Sequence, residues 1–180
     1  VTQNGAGAVT ITAPRTITTT ADAVGFATDV TLNGGAAGLV TINTTSGSAL
    51  GNDITFSGKL DATTATTNAE KLTLNAGTAG NVLFTGAVGT TRLGDVTITN
   101  ANNVTESAGL IARSLTQAAG QGTTLLTGAV NTNTATGVAL TTSAITANNT
   151  ITTTTNGVVT FTNAGLLTLN GDITSDGAVT

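Results

Sequence analysis

The chain of 180 residues has no Cys, Met, Trp, Tyr or His, and its one proline is Pro14. Without Cys there is no disulfide framework of the kind that holds small secreted domains together. Stability has to come from another source, and repetition is the candidate. Without Cys, His or Tyr, the usual nucleophile–base pairs and most zinc ligand sets are excluded. Charge is scarce as well: 8% of residues are charged, against roughly 25% in ordinary globular domains. Nine acids and five bases give a net charge of −4. The bases Arg15, Lys59, Lys71, Arg92 and Arg113 are scattered, and the aromatics are four Phe. A nucleic-acid interface needs a basic cluster, with aromatic platforms for single strands, so no nucleic-acid partner is expected. No apolar run approaches the ~18 residues of a membrane helix. No signal-peptide pattern is visible. With no Met in the chain, Val1 reads as a residue of a processed or longer product.

What the chain does contain is Thr, 45 residues of it, with 23 Gly and 17 Asn. Polar chains of low complexity often stay disordered because they bury too little apolar surface. Here, however, 39% of residues are hydrophobic and the mean hydropathy is +0.27. Val, Ile and Leu alternate with Thr in short runs from Val9-Thr10-Ile11-Thr12 to Leu167-Thr168-Leu169-Asn170. Such alternation marks half-buried strands. Gly, Asn, Asp and Ser fill the intervals, as tight corners require. No stretch reads as a helix of useful length; the nearest, Ala62–Lys71, holds four Thr.

Taking one strand per turn gives Val9, Val30, Ile54, Leu72, Val96, Leu115, Val138 and Val159, at steps of 18 to 24 residues. Identical words recur at multiples of this period. Thr31-Leu32-Asn33 returns as Thr73-Leu74-Asn75, and Leu83 through Val88 returns as Leu125 through Val130, each at a shift of 42. Gly157–Gly177 echoes Gly38–Gly58 at a shift of 119, placing Asp172 over Asp53. A period near 20 with β-branched alternation indicates a solenoid, in which three short strands and three corners make one turn. The reading is a single unit, residues 1–180, all-β, a parallel β-solenoid of about eight turns open at both ends. The competing architecture, a β-sandwich, needs no fixed period and usually carries aromatic core anchors.

The words Gly171-Asp172-Ile173-Thr174, Leu72-Thr73-Leu74-Asn75-Ala76-Gly77 and Phe84-Thr85-Gly86-Ala87-Val88 resemble those of giant bacterial surface proteins, the filamentous-haemagglutinin-like and β-strand-repeat families. The resemblance covers nearly the whole chain and concerns a style of repeat, not a ligand. It implies a right-handed parallel β-helix, secreted and displayed at the bacterial cell surface, with this chain as an interior segment.

Only carboxylates remain for acid–base work. Lys59 with Asp61 is the one combination of interest, and both read as solvated corner residues, since no second carboxylate pairs with Asp61 by spacing. Asp53, Asp172 and Asp176 lie at turns, where calcium would need six to eight oxygens; they read as turn formers. No metal and no cofactor is expected. Thr16 with Thr18, Thr97 with Thr99 and Thr152 with Thr154 each place two hydroxyls on one strand face, which could order water or bind ice, although uneven steps would disturb such a lattice. Asn33, Asn75 and Asn170 end apolar strands and are expected to stack as amide ladders. Three glycosylation acceptor patterns begin at Asn43, Asn103 and Asn148, common by chance in so Thr-rich a chain. The ends, Val1-Thr2 and Val179-Thr180, are strand-like and uncapped, and are the candidate self-association residues. The expected function is structural, not enzymatic. The chain would be a repeat unit of an extracellular fibre or sheath that joins other copies or neighbouring repeats head-to-tail, or alternatively the stalk of a secreted adhesin. Host or cell-surface glycans are possible partners.

Overall fold

The computed structural model describes residues 1–35, 38–64 and 69–180, and these contain strands and turns but no helix. Every strand pairing is parallel, and each joins a residue to one about a turn away. The chain therefore winds as a solenoid of eight coils. Each coil places one strand on each of three faces. The first face begins with Thr2–Gln3 and ends with Leu167–Leu169; the second runs from Val9–Thr12 to Ile173–Thr174; the third runs from Arg15–Thr18 to Val159–Asn163 and is extended by a bridge to Val179. Eight coils at the ~4.8 Å spacing of paired strands make a rod about 40 Å long.

On the first face, Thr2, Gly25, Thr55, Leu83, Thr105, Leu125, Thr146 and Thr168 lie in one register file. The coils so defined are uneven: two near 30 residues in the amino-terminal half, the rest near 21. Extra length sits at corners. In the second coil it is the loop between Leu39–Asn43 and Ile54–Phe56. In the fourth and fifth coils the second-to-third corner has no loop at all, and the strands Val88–Asn100 and Leu110–Gln117 run through it, with a bulge between Val88 and Leu93.

This unevenness corrects the one-strand-per-turn ladder. Leu72, Val96, Leu115, Val138 and Val159 do stack on the third face. Val9 and Val30 stack on the second, but Val30 continues to Leu60, whereas Ile54 belongs to the first face beside Val24. The spacing rule slipped by one face where coils lengthen. The echo of Leu83–Val88 in Leu125–Val130 spans two coils in register. That of Thr31-Leu32-Asn33 in Thr73-Leu74-Asn75 does not, because the two words lie on different faces. The alternative sandwich is excluded by the all-parallel ladders, since sandwiches are built of antiparallel sheets.

Inward residues form files. Phe26, Phe56 and Phe84 stack with ring centroids 5.4 and 5.5 Å apart. Ile42, Leu74 and Ile98 do the same on the third face, fully buried. Each such side chain contributes roughly 1.5–3 kcal/mol when buried, and only neighbouring coils can bury it, so stability is shared along the axis. Val96 and Ile98 face in, while Thr99 is exposed and Thr97 half-buried, as the alternation requires.

The first-to-second corner explains why Gly86 of the word Leu83–Val88 returns as Gly128 in Leu125–Val130. Coils approach so closely there that a Cβ on Gly86 would lie 2.3 Å from the Gly58 carbonyl oxygen, and one on Gly128 would lie 2.0 Å from the Gly109 nitrogen. Glycine at these positions is a packing requirement.

Candidate functional site

The candidate end residues fall on different faces. Thr2 pairs with Gly25 on the first face, and the Val1 ammonium donates to the Ala23 carbonyl at 2.9 Å. Val179 bridges Val159 on the third face, and the Thr180 hydroxyl donates to that of Thr160 at 3.2 Å. Val1 and Val179 are 59% and 53% exposed. Gln3 occupies the first-face position beside Phe26, where its side-chain oxygen accepts from the Ala27 amide at 3.0 Å and its amide nitrogen donates to Gly5 and Gly7 carbonyls. At the other end Leu167 and Leu169, in the inward files of Ile145 and Ala147, are 38% and 45% exposed.

The charged candidates serve corners. The Asp61 carboxylate accepts from the Thr90 hydroxyl at 2.7 and 2.8 Å and from the Thr91 amide at 3.0 Å. The Lys59 amide donates to Asp29 at 2.8 Å. Asp53 accepts from both the amide and the side chain of Asn81, at 2.8 and 2.9 Å, and Asp176 accepts from the Asn156 amide at 2.7 Å. Asp53 precedes a first-face strand and Asp172 a second-face strand, so the two are not equivalent, contrary to the sequence echo. Among the described residues no three acidic side chains come together. Lys71 and Asp95 form an ion pair at 3.1 Å on the outer surface.

Amide ladders exist, but Asn33, Asn75 and Asn170 do not stack on one another; of the three, Asn170 pairs with an Asn of the adjacent coil, Asn148. Asn33, Asn75 and Asn170 lie on three different faces. Instead, Asn103 donates through its amide and side chain to Asn81, at 3.1 and 2.9 Å, Asn81 donates likewise to Asp53, and the Thr123 amide donates to Asn103 at 2.8 Å. This chain of donors ties four coils at the third-to-first corner. The Asn170 side chain donates to that of Asn148 at 2.8 Å.

The Thr pairs do not form one plane: Thr16/Thr18 and Thr97/Thr99 lie on the third face, and Thr152 is on the second. A single file is continuous instead. Thr16, Thr41, Thr73, Thr97 and Thr116 follow one another, then Ala139, Thr160 and Thr180. Uneven coil lengths leave this file in register because the corners absorb them.

Two residues escaped the sequence reading. Glu70 and Glu106, the chain's only glutamates, are both buried. Glu70 accepts from the Gly34 and Gly35 amides at 3.0 and 2.9 Å, the Thr63 hydroxyl at 2.6 Å and the Thr64 amide at 3.2 Å. Burial pushes its carboxyl pKa up, but the hydrogen bonds from Thr63, Gly35, its own amide and Gly34 outweigh that and hold it at about 2. Glu106 accepts from the amides of Ala108 at 2.7 Å, of Gly128 at 3.0 Å and of Gly109. Both carboxylates pin corners from inside. Glu106 was within reach of the alternation rule, since Val104-Thr105-Glu106 points its first and third residues inward. Glu70 had no such signal.

Comparison with known proteins finds no matching family model, curated protein or solved structure.

Proposed function

We propose that this chain is a structural segment of an extracellular rod or fibre at a bacterial cell surface, built by coils that stack end to end. The observation that carries the reading is the continuation of the inward files to the last coil, where Leu167 and Leu169 stand at core positions yet remain exposed. A further coil of the same kind, contributed head-to-tail by another copy or by a neighbouring repeat, buries them and pairs the open strand edge beside Val179 and Thr180. Such a join does not close and propagates. The outward residues support a non-catalytic role: they are mostly Thr, Asn, Ser and Gly, and the carboxylates of Asp53, Asp61 and Asp176 are engaged in corner hydrogen bonds. Glycans are the class of surface partner that such a hydroxyl- and amide-rich exterior suits.

The experiment is light scattering of the purified chain across concentration. Growth of elongated particles, suppressed by Val179→Pro, is the expected result, because proline removes a ladder donor. A monomer at all concentrations with exchange-protected terminal amides would overturn it. A second reading, the stalk of a secreted adhesin with its binding tip elsewhere, draws on Gln3, whose polar side chain lies over the amino-terminal end of the Phe file. Micrographs separate the two: a fibre is long and uniform, and a stalk has a base and a tip.

A further inference from the structure

Among the described residues, the two most exposed large apolar side chains are Leu166 at 71% and Leu50 at 61%. Both lie at the third-to-first corner, at opposite ends of the rod. Leu50 tips the long loop of the second coil. That loop is held rigidly: the Ala79 amide donates to the Leu50 carbonyl at 2.8 Å, the Thr78 amide donates to the Ala49 carbonyl at 3.0 Å, and the Thr44 hydroxyl donates to Asn52 at 2.9 Å. Its backbone is fixed to the third coil while its side chain stands free, so it is a preformed knob. Four coils further along the same corner, where the loops are short, lies a shallow groove of about 410 Å³ over the fifth to seventh coils. Its lining includes Ala119, Gly120, Thr142, Ser143 and Ala164, and Leu166 stands just beyond it. From the third coil's corner to the groove, no charged residue occurs in the corner segments 76–81, 101–103, 118–122 and 163–166. The acids and bases elsewhere in the chain would repel or cost desolvation in a contact between two identical rods; the one acid beside this strip is Asp53, at the end of the Leu50 loop, where its carboxylate is engaged by Asn81.

We propose that a second copy of this chain docks along this corner, antiparallel, with Leu50 of each copy seated in the groove of the other. Knob and groove are displaced equally from the fourth coil, so a two-fold axis at that coil brings both contacts together at once. That is the isologous arrangement of a cyclic dimer. The pairing is lateral and does not depend on the end-to-end join. A contact confined to one corner of the rod is small, so the dimer is weak and must be sought at roughly hundreds of micromolar.

The test uses the whole chain carrying Val179→Pro, which removes end joining, with circular dichroism as the control for folding. Sedimentation equilibrium is expected to give twice the monomer mass. Leu50→Lys and Ala164→Glu alter exposed side chains, and each alone is expected to return the mass to that of a monomer. An equal mixture of the two variants is expected to regain the dimer, because a two-fold pair formed from one of each has one native contact and one Lys–Glu contact. The absence of native cysteine permits a second readout in which Leu50→Cys mixed with Ala164→Cys cross-links on oxidation and Leu50→Cys alone does not. A monomer at every concentration, dimers that tolerate either single charge, or a mixture that stays monomeric would each overturn the proposal.

Discussion

Glu106 stands next to Phe84 in the same inward file, so a carboxylate takes the place that a ring holds in the coils before it. The exchange coincides with a change in the corner word. Phe84-Thr85-Gly86-Ala87 has its glycine second after the inward residue, and Glu106-Ser107-Ala108-Gly109 has it third. The carboxylate collects the amides that this altered corner turns inward. Glu106→Ala is expected to leave three amides without an acceptor and to lower stability by roughly 2–4 kcal/mol, seen as an earlier urea midpoint. Glu106→Gln, which keeps one oxygen, should lose less. An unchanged midpoint in the alanine variant would show that the corner relaxes without it.

Glu70 links stability to acid. It titrates at about 2 in the folded chain, against 4.5 as the ordinary value. Above pH 4.5 it is ionised in both states, and its contribution is fully present. As pH falls from 4.5 toward 2, the unfolded chain takes up the proton and the folded chain does not, so the contribution is lost. Melting temperatures measured from pH 6 to pH 2 should fall more steeply for the natural chain than for Glu70→Gln. Parallel curves would place the acid sensitivity elsewhere.

Glycines divide into two kinds. Gly128→Ala forces a methyl group against backbone one coil away and should cost roughly 1–3 kcal/mol or more. At Gly25 a Cβ meets nothing within 4 Å. Gly25→Thr would place a β-branched residue between Thr2 and Thr55 on an outward file, and it should be neutral or stabilising by up to about 1 kcal/mol. Thermal melts of the two variants, moving in opposite directions, check both halves.

Ile98→Asp places an unpaired charge in the third-face file between Leu74 and Gln117. A loss of more than about 3 kcal/mol is expected, with amide protection falling in the adjacent coils as well as the mutated one. Loss confined to a single coil would contradict the shared stability inferred for stacked files.

Alternation in Val96-Thr97-Ile98-Thr99 was enough to assign strands and their buried side, because one face of each strand is core and the other is water. Periodicity was enough to assign a solenoid of about eight turns. Face assignment was not legible from spacing alone. Between Val30 and Leu72 two coils lengthen at corners, and a rule that counts residues cannot tell a longer loop from an extra strand. The echo of Asp53 in Asp172 failed for the same reason. The buried glutamates were hidden by a sound generalisation: carboxylates are seldom interior unless several donors meet them. Apart from the Thr63 hydroxyl, the donors here are backbone amides such as those of Gly34, Gly35, Ala108 and Gly128, which have no side-chain signature. The corner glycines Gly86 and Gly128, by contrast, lie within the word shared by Leu83–Val88 and Leu125–Val130.

Because length enters the coil only at its corners, this fold separates what must be copied from what can drift. The register of Leu39–Asn43 with Lys71–Asn75 is kept although some thirty residues separate them, and that of Val138–Thr142 with Val159–Asn163 is kept across about twenty. Residues added in the segment 44–52 lengthen one corner, while the strands on either side keep their partners in the neighbouring coils. The rod is thus an address system, in which a corner in a given coil holds its position along the axis whatever is spliced into it. New surface features can be acquired one corner at a time, on a scaffold that keeps its form.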